Sequence, residues 1–308
     1  MLESFRIVVF LAFLALSTTA MAQEKNPKKD KGINTESIDS QSIDNKAVPP
    51  VTQKEEKAKI EELKVQQTKI IQKASNEIFG NDPYNKFSLY QPSYFIFGKE
   101  NLKMQFSAKY RVAQTYSLYL AYTQLMFWNI YESSAPFDDI NYNPEGFYRI
   151  IEGPNSFLRS IDIGMLHTSN GEDGDKSRSI NRIFVKTNLA SSIGRHNILG
   201  ELKIQHIYSK SSGNHDIIDY MGYWELKMIF THIMVWNSSR LDLQYRLFAG
   251  KKIFNVEKGG RELGLLYNLG SENFNPTFYV QYYSGYAESL LHYNQKISQV
   301  RGGLLLYF

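Results

Sequence analysis

His167, Ser169 and Asn181 are the residues of this 308-residue chain whose types and spacing suit nucleophilic chemistry. An imidazole takes the proton from a serine hydroxyl and a third polar group fixes the ring's tautomer, which is what acyl transfer requires. His167 and Ser169 are two residues apart, so on a β-strand they share a face. A hairpin centred on Gly174 sets His167 opposite Asn181 and Ser169 opposite Ser179, and hydroxyl, imidazole and amide then form one cluster. Taken singly, His167 and Ser169 read more readily as interfacial polar residues at a strand end than as catalytic groups, and Asn181 as a loop-edge residue. Their joint placement favours catalysis. An amide in place of a carboxylate also suits an apolar setting, where an ionised group would carry a large desolvation cost.

The elements that must position these groups are strands. From about Tyr84 onward, segments of roughly ten residues alternate apolar and polar side chains, separated by Gly, Asn, Asp, Ser and Pro. Between 219 and 231, Tyr220, Trp224, Leu226, Met228 and Phe230 share one face, with Glu225 and Lys227 on the other. Between 240 and 249, Leu241, Leu243, Tyr245 and Leu247 oppose Arg240, Asp242, Gln244 and Arg246. In the critical hairpin Ile161, Ile163, Met165, His167 and Ser169 fall in one row, and Asn181, Ile183, Val185 and Leu189 in the row beside it.

A soluble sandwich would bury the apolar face, and alternation alone does not refute it. Three signals favour the inverted, membrane-facing arrangement. Arg6, the apolar run Ile7–Leu16 and Ala20-Met21-Ala22 have the form of a secretory signal, with cleavage expected after Ala22. The segments are long enough for tilted transmembrane strands, and aromatic residues recur near their ends. All aromatics except Phe5, Phe10 and Phe13 lie from Phe79 onward. The closing Leu304-Leu305-Leu306-Tyr307-Phe308 resembles the assembly signal of outer-membrane barrels.

Segments are expected at 93–99, 101–113, 116–129, 141–151, 156–170, 178–191, 196–209, 219–233, 238–251, 260–270, 276–289 and 297–308. The expected fold class is therefore all-β, a 12-stranded antiparallel transmembrane β-barrel with an N-terminal disordered and helical extension. An even count leaves both ends in the periplasm and the loop between the fifth and sixth segments outside the cell. The domain reading is residues 1–22 signal peptide, 23–52 disordered linker, 53–80 charged helical periplasmic extension and 84–308 barrel. In the extension Ile60, Leu63, Ile70 and Ala74 have nearly heptad spacing, which Gln67 interrupts, so a solvated helix is preferred to a coiled coil.

Exclusions follow from composition. Lys+Arg 35 against Asp+Glu 31 gives a net charge of +4, which argues for no nucleic-acid partner. No apolar run reaches the ~20 residues of a spanning helix. With Cys 0 there are neither disulfides nor thiolate metal sites.

The stretch His167-Thr168-Ser169-Asn170-Gly171, five residues, then Ser177-Arg178-Ser179-Ile180-Asn181 resembles the signature of the outer-membrane phospholipase A family, H-x-S-N-G-x5-S-R-S-x-N. The similarity continues through Tyr122-Thr123-Gln124, Glu132-Ser133-Ser134, Asn141-Tyr142, Tyr220-Met221-Gly222-Tyr223 and Tyr283 to Leu290, from about Phe87 to Phe308 and not into the extension. The resemblance implies a barrel in the outer-membrane lipid bilayer that hydrolyses acyl esters of phospholipids and lysophospholipids, requires calcium and is active as a homodimer. Ser169 would be the nucleophile, His167 the general base and acid, Asn181 its orienter, and the Gly171 amide part of the oxyanion hole. Calcium would be held by the Ser177 hydroxyl, the Glu172 main-chain carbonyl and Ser133 of the partner subunit.

The loop departs from the family pattern. A basic residue usually follows the glycine and an acidic one stands two places later; Glu172 and Gly174 occupy those positions and reverse the local charge. Glu172, Asp173 and Asp175 read equally as alternative calcium ligands or as an ordinary solvated loop. Gln124 is a lone amide in the apolar row Leu118, Leu120, Tyr122, Met126 and Trp128, where such a group wants a partner. The resemblance makes it the dimer contact. Asp162, Arg182, Glu225, Lys227, Arg240 and Arg246 read as an interior network that plugs a narrow lumen. The competing class is a passive barrel or narrow channel in which the polar cluster has no turnover.

Overall fold

The computed structural model describes residues 86–306 other than 114, 154–156, 194–195, 238, 253–256 and 271–275, together with helical positions Glu61, Glu62, Val65 and Lys69. The stretches expected to be signal peptide and linker, the rest of the expected extension, and Tyr307-Phe308 lie outside the described residues. The first strands are β1 (Phe87–Leu89), β2 (Ser93–Gly98), β3 (Leu102–Arg111), β4 (Leu118–Trp128), β5 (Phe137–Glu152) and β6 (Leu158–Ser169). They are followed by β7 (Ser179–Ile193), β8 (His196–Lys210), β9 (Trp224–Trp236), β10 (Ser239–Phe248), β11 (Gly260–Asn268), β12 (Pro276–Gly285) and β13 (Ile297–Leu306).

Each strand from β2 to β13 pairs antiparallel with its neighbours in the chain, and β13 pairs with β2, so twelve staves close into a barrel without a free edge. β1 is a thirteenth, short piece. It continues the position of β2 beside β3, pairing Phe87–Leu89 with Tyr110–Ala108. Tyr90-Gln91-Pro92 separates the two pieces, because Pro92 has no N–H to give a ladder. Side chains take over there: Gln91 N–H donates to Ser107 Oγ at 3.1 Å and Gln105 Nε2 to the Pro92 carbonyl at 2.7 Å.

Alternation sorts the side chains as the sequence pattern predicts. Leu120, Ile163, Met165, Ile183, Val185, Leu263 and Val280 are exposed on the outside, while Asp162, Arg182, Lys186, Glu262 and Arg301 are buried within. The interior is cross-linked by charge. Asp162 binds Arg149 at 2.7 Å and Lys186 at 3.6 Å; Glu225 binds Arg246 through two bonds of 2.8 and 3.2 Å; Glu288 accepts from Arg301 at 2.7 Å and Lys103 at 3.1 Å. Burial disfavours the Glu288 charge, but Lys103 and Arg301 more than offset it and hold the carboxyl below its ordinary range. A cavity of about 210 Å³ remains among these groups.

Three segment boundaries differ from expectation by four residues or more. The eleventh segment ends at Gly285, not 289, where the backbone turns at φ +134°. The fourth segment begins at Phe137, not 141, because Asp139 enters the sheet with its carboxylate accepting from Leu291 N–H and Asn141 Nδ2 at 2.9 and 2.7 Å. The eighth begins at Trp224, not 219. Residues Ile218–Met221 form one helical turn, closed by Gly222 at φ +60°, where a Cβ would stand 2.0 Å from the Ala249 carbonyl oxygen. Tyr220 therefore leaves the outward row and packs against Tyr286 and Tyr293, with ring centroids 5.1 and 5.6 Å away.

Candidate active site

The β6–β7 hairpin carries the site. Its register pairs His167 with Asn181 and Ser169 with Ser179, and the turn contains Gly174–Lys176. His167, Ser169 and Asn181 are half-buried in the outward row that includes the exposed Ile163, Met165, Ile183 and Val185. His167 Nδ1 lies 2.8 Å from Asn181 Oδ1. Because a carboxamide oxygen only accepts, the proton of that bond belongs to Nδ1, and Nε2 is left with its lone pair. Ser169 stands two residues beyond His167, on the same face. Its hydroxyl has no side-chain hydrogen bond to the ring among the described residues, so the pair that the structure closes is His167–Asn181, with the Ser169 hydroxyl adjacent to it.

Gly171 begins the loop at φ +70°, and a Cβ there would meet the Tyr142 ring at 3.0 Å. Any other residue would be strained by this backbone and would need the ring to give way. Asn170, whose role the sequence reading did not foresee, staples this loop. Its Oδ1 accepts from the backbone N–H of Arg178 at 2.9 Å and of Glu172 at 3.4 Å, and its Nδ2 donates to the Lys176 carbonyl at 2.8 Å. An Asn whose side chain reaches backbone two residues on is a recognised turn signal, so its position at the loop entrance was the available clue. The loop 211–223 braces the other side: Ser179 N–H donates to Ser211 Oγ at 3.2 Å and Asn214 Oδ1 at 3.3 Å.

The candidate calcium groups are loop oxygens, of which Ser133 is the one expected from a second copy. Glu172 and Ser133 are exposed, and Ser177 is half-buried. The Ser177 carbonyl is occupied by Arg178 Nη1 at 2.9 Å, and the Asp173 carboxylate by the Gly174 N–H at 2.7 Å. Hard oxygen donors suit calcium. Among the described residues no three His, Asp or Glu side chains converge to hold a metal, so the carboxylates of this loop do not form a cage by themselves. Gln124 points outward on β4, with its Oε1 accepting from Tyr122 at 3.2 Å and its Nε2 3.4 Å from the Met126 sulfur. A polar amide served by a thioether is poorly satisfied.

The phospholipase A1 family model matches residues 41–306 of the sequence. The chain belongs to that family. Over 191 residues it is 35% identical to phospholipase A1 of Klebsiella pneumoniae, a match covering 60% of this chain and 61% of that protein. The chain thus spans about three fifths of the length of the curated relatives it matches. Its barrel is similar to the outer membrane phospholipase A from Escherichia coli, with TM-score 0.59 and 27% identity over 73% of this chain and 93% of that one. It is similar also to the Salmonella typhi outer membrane phospholipase dimer with bound calcium, with TM-score 0.59 and 28% identity over 75% and 96%.

Proposed function

We propose that this member of the phospholipase A1 family is a calcium-dependent phospholipase A of the bacterial outer membrane, working on the outer surface of its barrel. The observation that carries the reading is the 2.8 Å contact of His167 Nδ1 with Asn181 Oδ1, on an apolar outward face with Ser169 beside it. A catalytic group on that face meets an acyl ester without drawing the lipid out of the bilayer. The apolar exterior fits a membrane, and the even number of staves fits a periplasmic N-terminal extension with the 170–178 loop outside the cell.

In the reaction Ser169 Oγ attacks the ester carbonyl while His167 Nε2 takes its proton. Asn181 holds the ring so that Nε2 faces the hydroxyl. The Gly171 N–H donates to the oxygen of the tetrahedral intermediate, whose charge is costly beside hydrocarbon without a donor. Collapse expels the glycerol oxygen, which receives the proton from His167. Water, deprotonated by the same nitrogen, then releases the fatty acid and restores Ser169. When bound, calcium adds positive charge next to the developing oxyanion. The groups assigned to it are the Ser177 hydroxyl, the Glu172 carbonyl and Ser133 of the partner subunit, a set that is complete only in a homodimer. Gln124 is the proposed contact between the two copies, each amide replacing its weak sulfur partner with a carboxamide.

The channel alternative has less support, because side chains from non-adjacent strands meet inside the barrel, as Lys227 Nζ with Gln91 Oε1 at 2.8 Å and Lys103 with Glu262 at 3.9 Å. Release of fatty acid from phospholipid vesicles containing the purified chain tests the reading. Hydrolysis is expected with calcium, none with chelator, and a loss on the order of 10³-fold in Ser169→Ala. Solute permeation without hydrolysis, or hydrolysis that survives Ser169→Ala, would overturn it.

A further inference from the structure

Thr168 lies between His167 and Ser169, so its side chain points the opposite way, into the barrel, where it is buried. There its hydroxyl is used twice. Thr168 Oγ1 donates to Asn143 Oδ1 of β5 at 2.7 Å and accepts from Arg182 Nη2 of β7 at 2.6 Å. The bonds continue on both sides. Asn143 Nδ2 donates to the carbonyls of Thr123 and Asn141, both at 3.0 Å, while Arg182 Nη1 donates to Gln205 Oε1 at 3.2 Å and Gln205 Nε2 to the Gly222 carbonyl at 3.4 Å. A belt of side chains thus runs along the inner wall from β4 to β8 at the level of the outward cluster.

The backbone explains why a belt is needed at that place. The β5–β6 register passes from Tyr142 opposite Ser169 to Glu145 opposite Leu166, with no ladder pair for Asn143 or Pro144. Pro144 has no N–H to offer, so the ladder lapses behind His167 and Thr168. Ser169 is also the last residue of β6, where a strand frays most readily. The Thr168–Asn143 bond spans the lapse, and the Arg182 bond ties the same hydroxyl to the residue after Asn181.

We propose that Thr168 is a positioning residue for ester hydrolysis, clamped from the lumen by Asn143 and Arg182 so that His167, Ser169 and Asn181 keep their geometry on the opposite face. The inference rests on the hydrolytic reading of that cluster. Thr168 touches no substrate. It acts through the two strand positions that flank it, and displacement of a reacting group by about 1 Å is enough to cost on the order of 100-fold in rate.

The test is steady-state hydrolysis of phosphatidylcholine in calcium-containing mixed micelles by the full chain, compared with Thr168→Val, Thr168→Ser and Ser169→Ala. Valine keeps the shape and removes both hydrogen bonds. The expected result is a kcat lowered about tenfold or more in Thr168→Val, with KM within about twofold and activity largely restored by Thr168→Ser. Should Thr168→Val not form a heat-resistant folded barrel, Asn143→Ala, which removes one partner of the same hydroxyl, carries the same expectation. A kcat within about twofold of native, a change confined to KM, or a serine variant as slow as valine would overturn the clamp. If Ser169→Ala hydrolyses as fast as the native chain, the site reading itself fails. If it is silent while Thr168→Val is fully active, only the clamp fails.

Discussion

The two faces of the β6–β7 hairpin are built to opposite rules. Inward, Asp162, Thr168, Arg182 and Lys186 are buried and each has at least one partner on a neighbouring strand. Outward, the row is mostly apolar, and at its end His167 and Asn181 share one bond with the Ser169 hydroxyl beside them. Side chains engaged with one another in a buried network are rigid, whereas a reactive hydroxyl must stay uncommitted until substrate arrives. The alternation of a strand lets one backbone serve both needs. Damage inside should therefore register as lost stability or lost geometry, and damage outside as lost turnover in an intact barrel.

The sharpest break of that comparison is Asp162→Leu. It leaves Arg149 and Lys186 buried without their shared carboxylate, and a destabilisation of about 3–5 kcal/mol is expected in denaturant unfolding from micelles. Unchanged stability would mean that the interior charges are not a framework. On the other face, Asn181→Ala should lower kcat by about 100-fold while the unfolding midpoint stays at the native value. An equal loss of stability would mean that this amide is structural. Gln124→Ala should weaken dimerisation about tenfold or less, measured by sedimentation in detergent with calcium, because single interhelical or interstrand amides in apolar surroundings contribute modestly. A dimer constant unaltered by the change would remove Gln124 from the interface.

The smallest effect belongs to neither face. In the segment 286–296, His292 Nε2 lies 3.1 Å from Asp138 Oδ2, and the hydrogen bond to that carboxylate raises the histidine pKa above its ordinary 6.5. A folded-state pKa above the unfolded one adds stability that is complete below pH 6.5 and disappears as pH rises through the raised value. Melting temperatures should accordingly fall slightly on going from about pH 5 to about pH 8, and His292→Ala should remove that component. A variant with the native pH dependence would show that this pair does not contribute.

The outward row of His167, Ser169 and Asn181 was legible because a period of two leaves little freedom, and the Gly174-centred turn sets the register that the structure has. The interior charges were legible for the same reason. What escaped depends on contacts distant in sequence. Pro92 marks a break before the first stave but gives no sign that a strand piece resumes beyond it beside β3, with Tyr90 turned inward to Glu145 and Lys186 on other strands. Nor does the row containing Tyr220 reveal that Gly222 must fit under Ala249, which ends the alternation there. Thr168 was visible only as the variable position of a motif; its meaning lies in Asn143, on a strand whose ladder Pro144 interrupts.

The central claim is that Ser169 is a nucleophile activated by His167 on the lipid-facing surface, and covalent trapping tests it most directly. The folded chain in micelles with calcium is treated with a long-chain phosphonyl fluoride and the site of attachment is read by peptide mass spectrometry. A single adduct on Ser169, abolished in His167→Ala, is the result the account predicts. Attachment at another residue, or labelling of Ser169 that proceeds equally well without the imidazole, would contradict it.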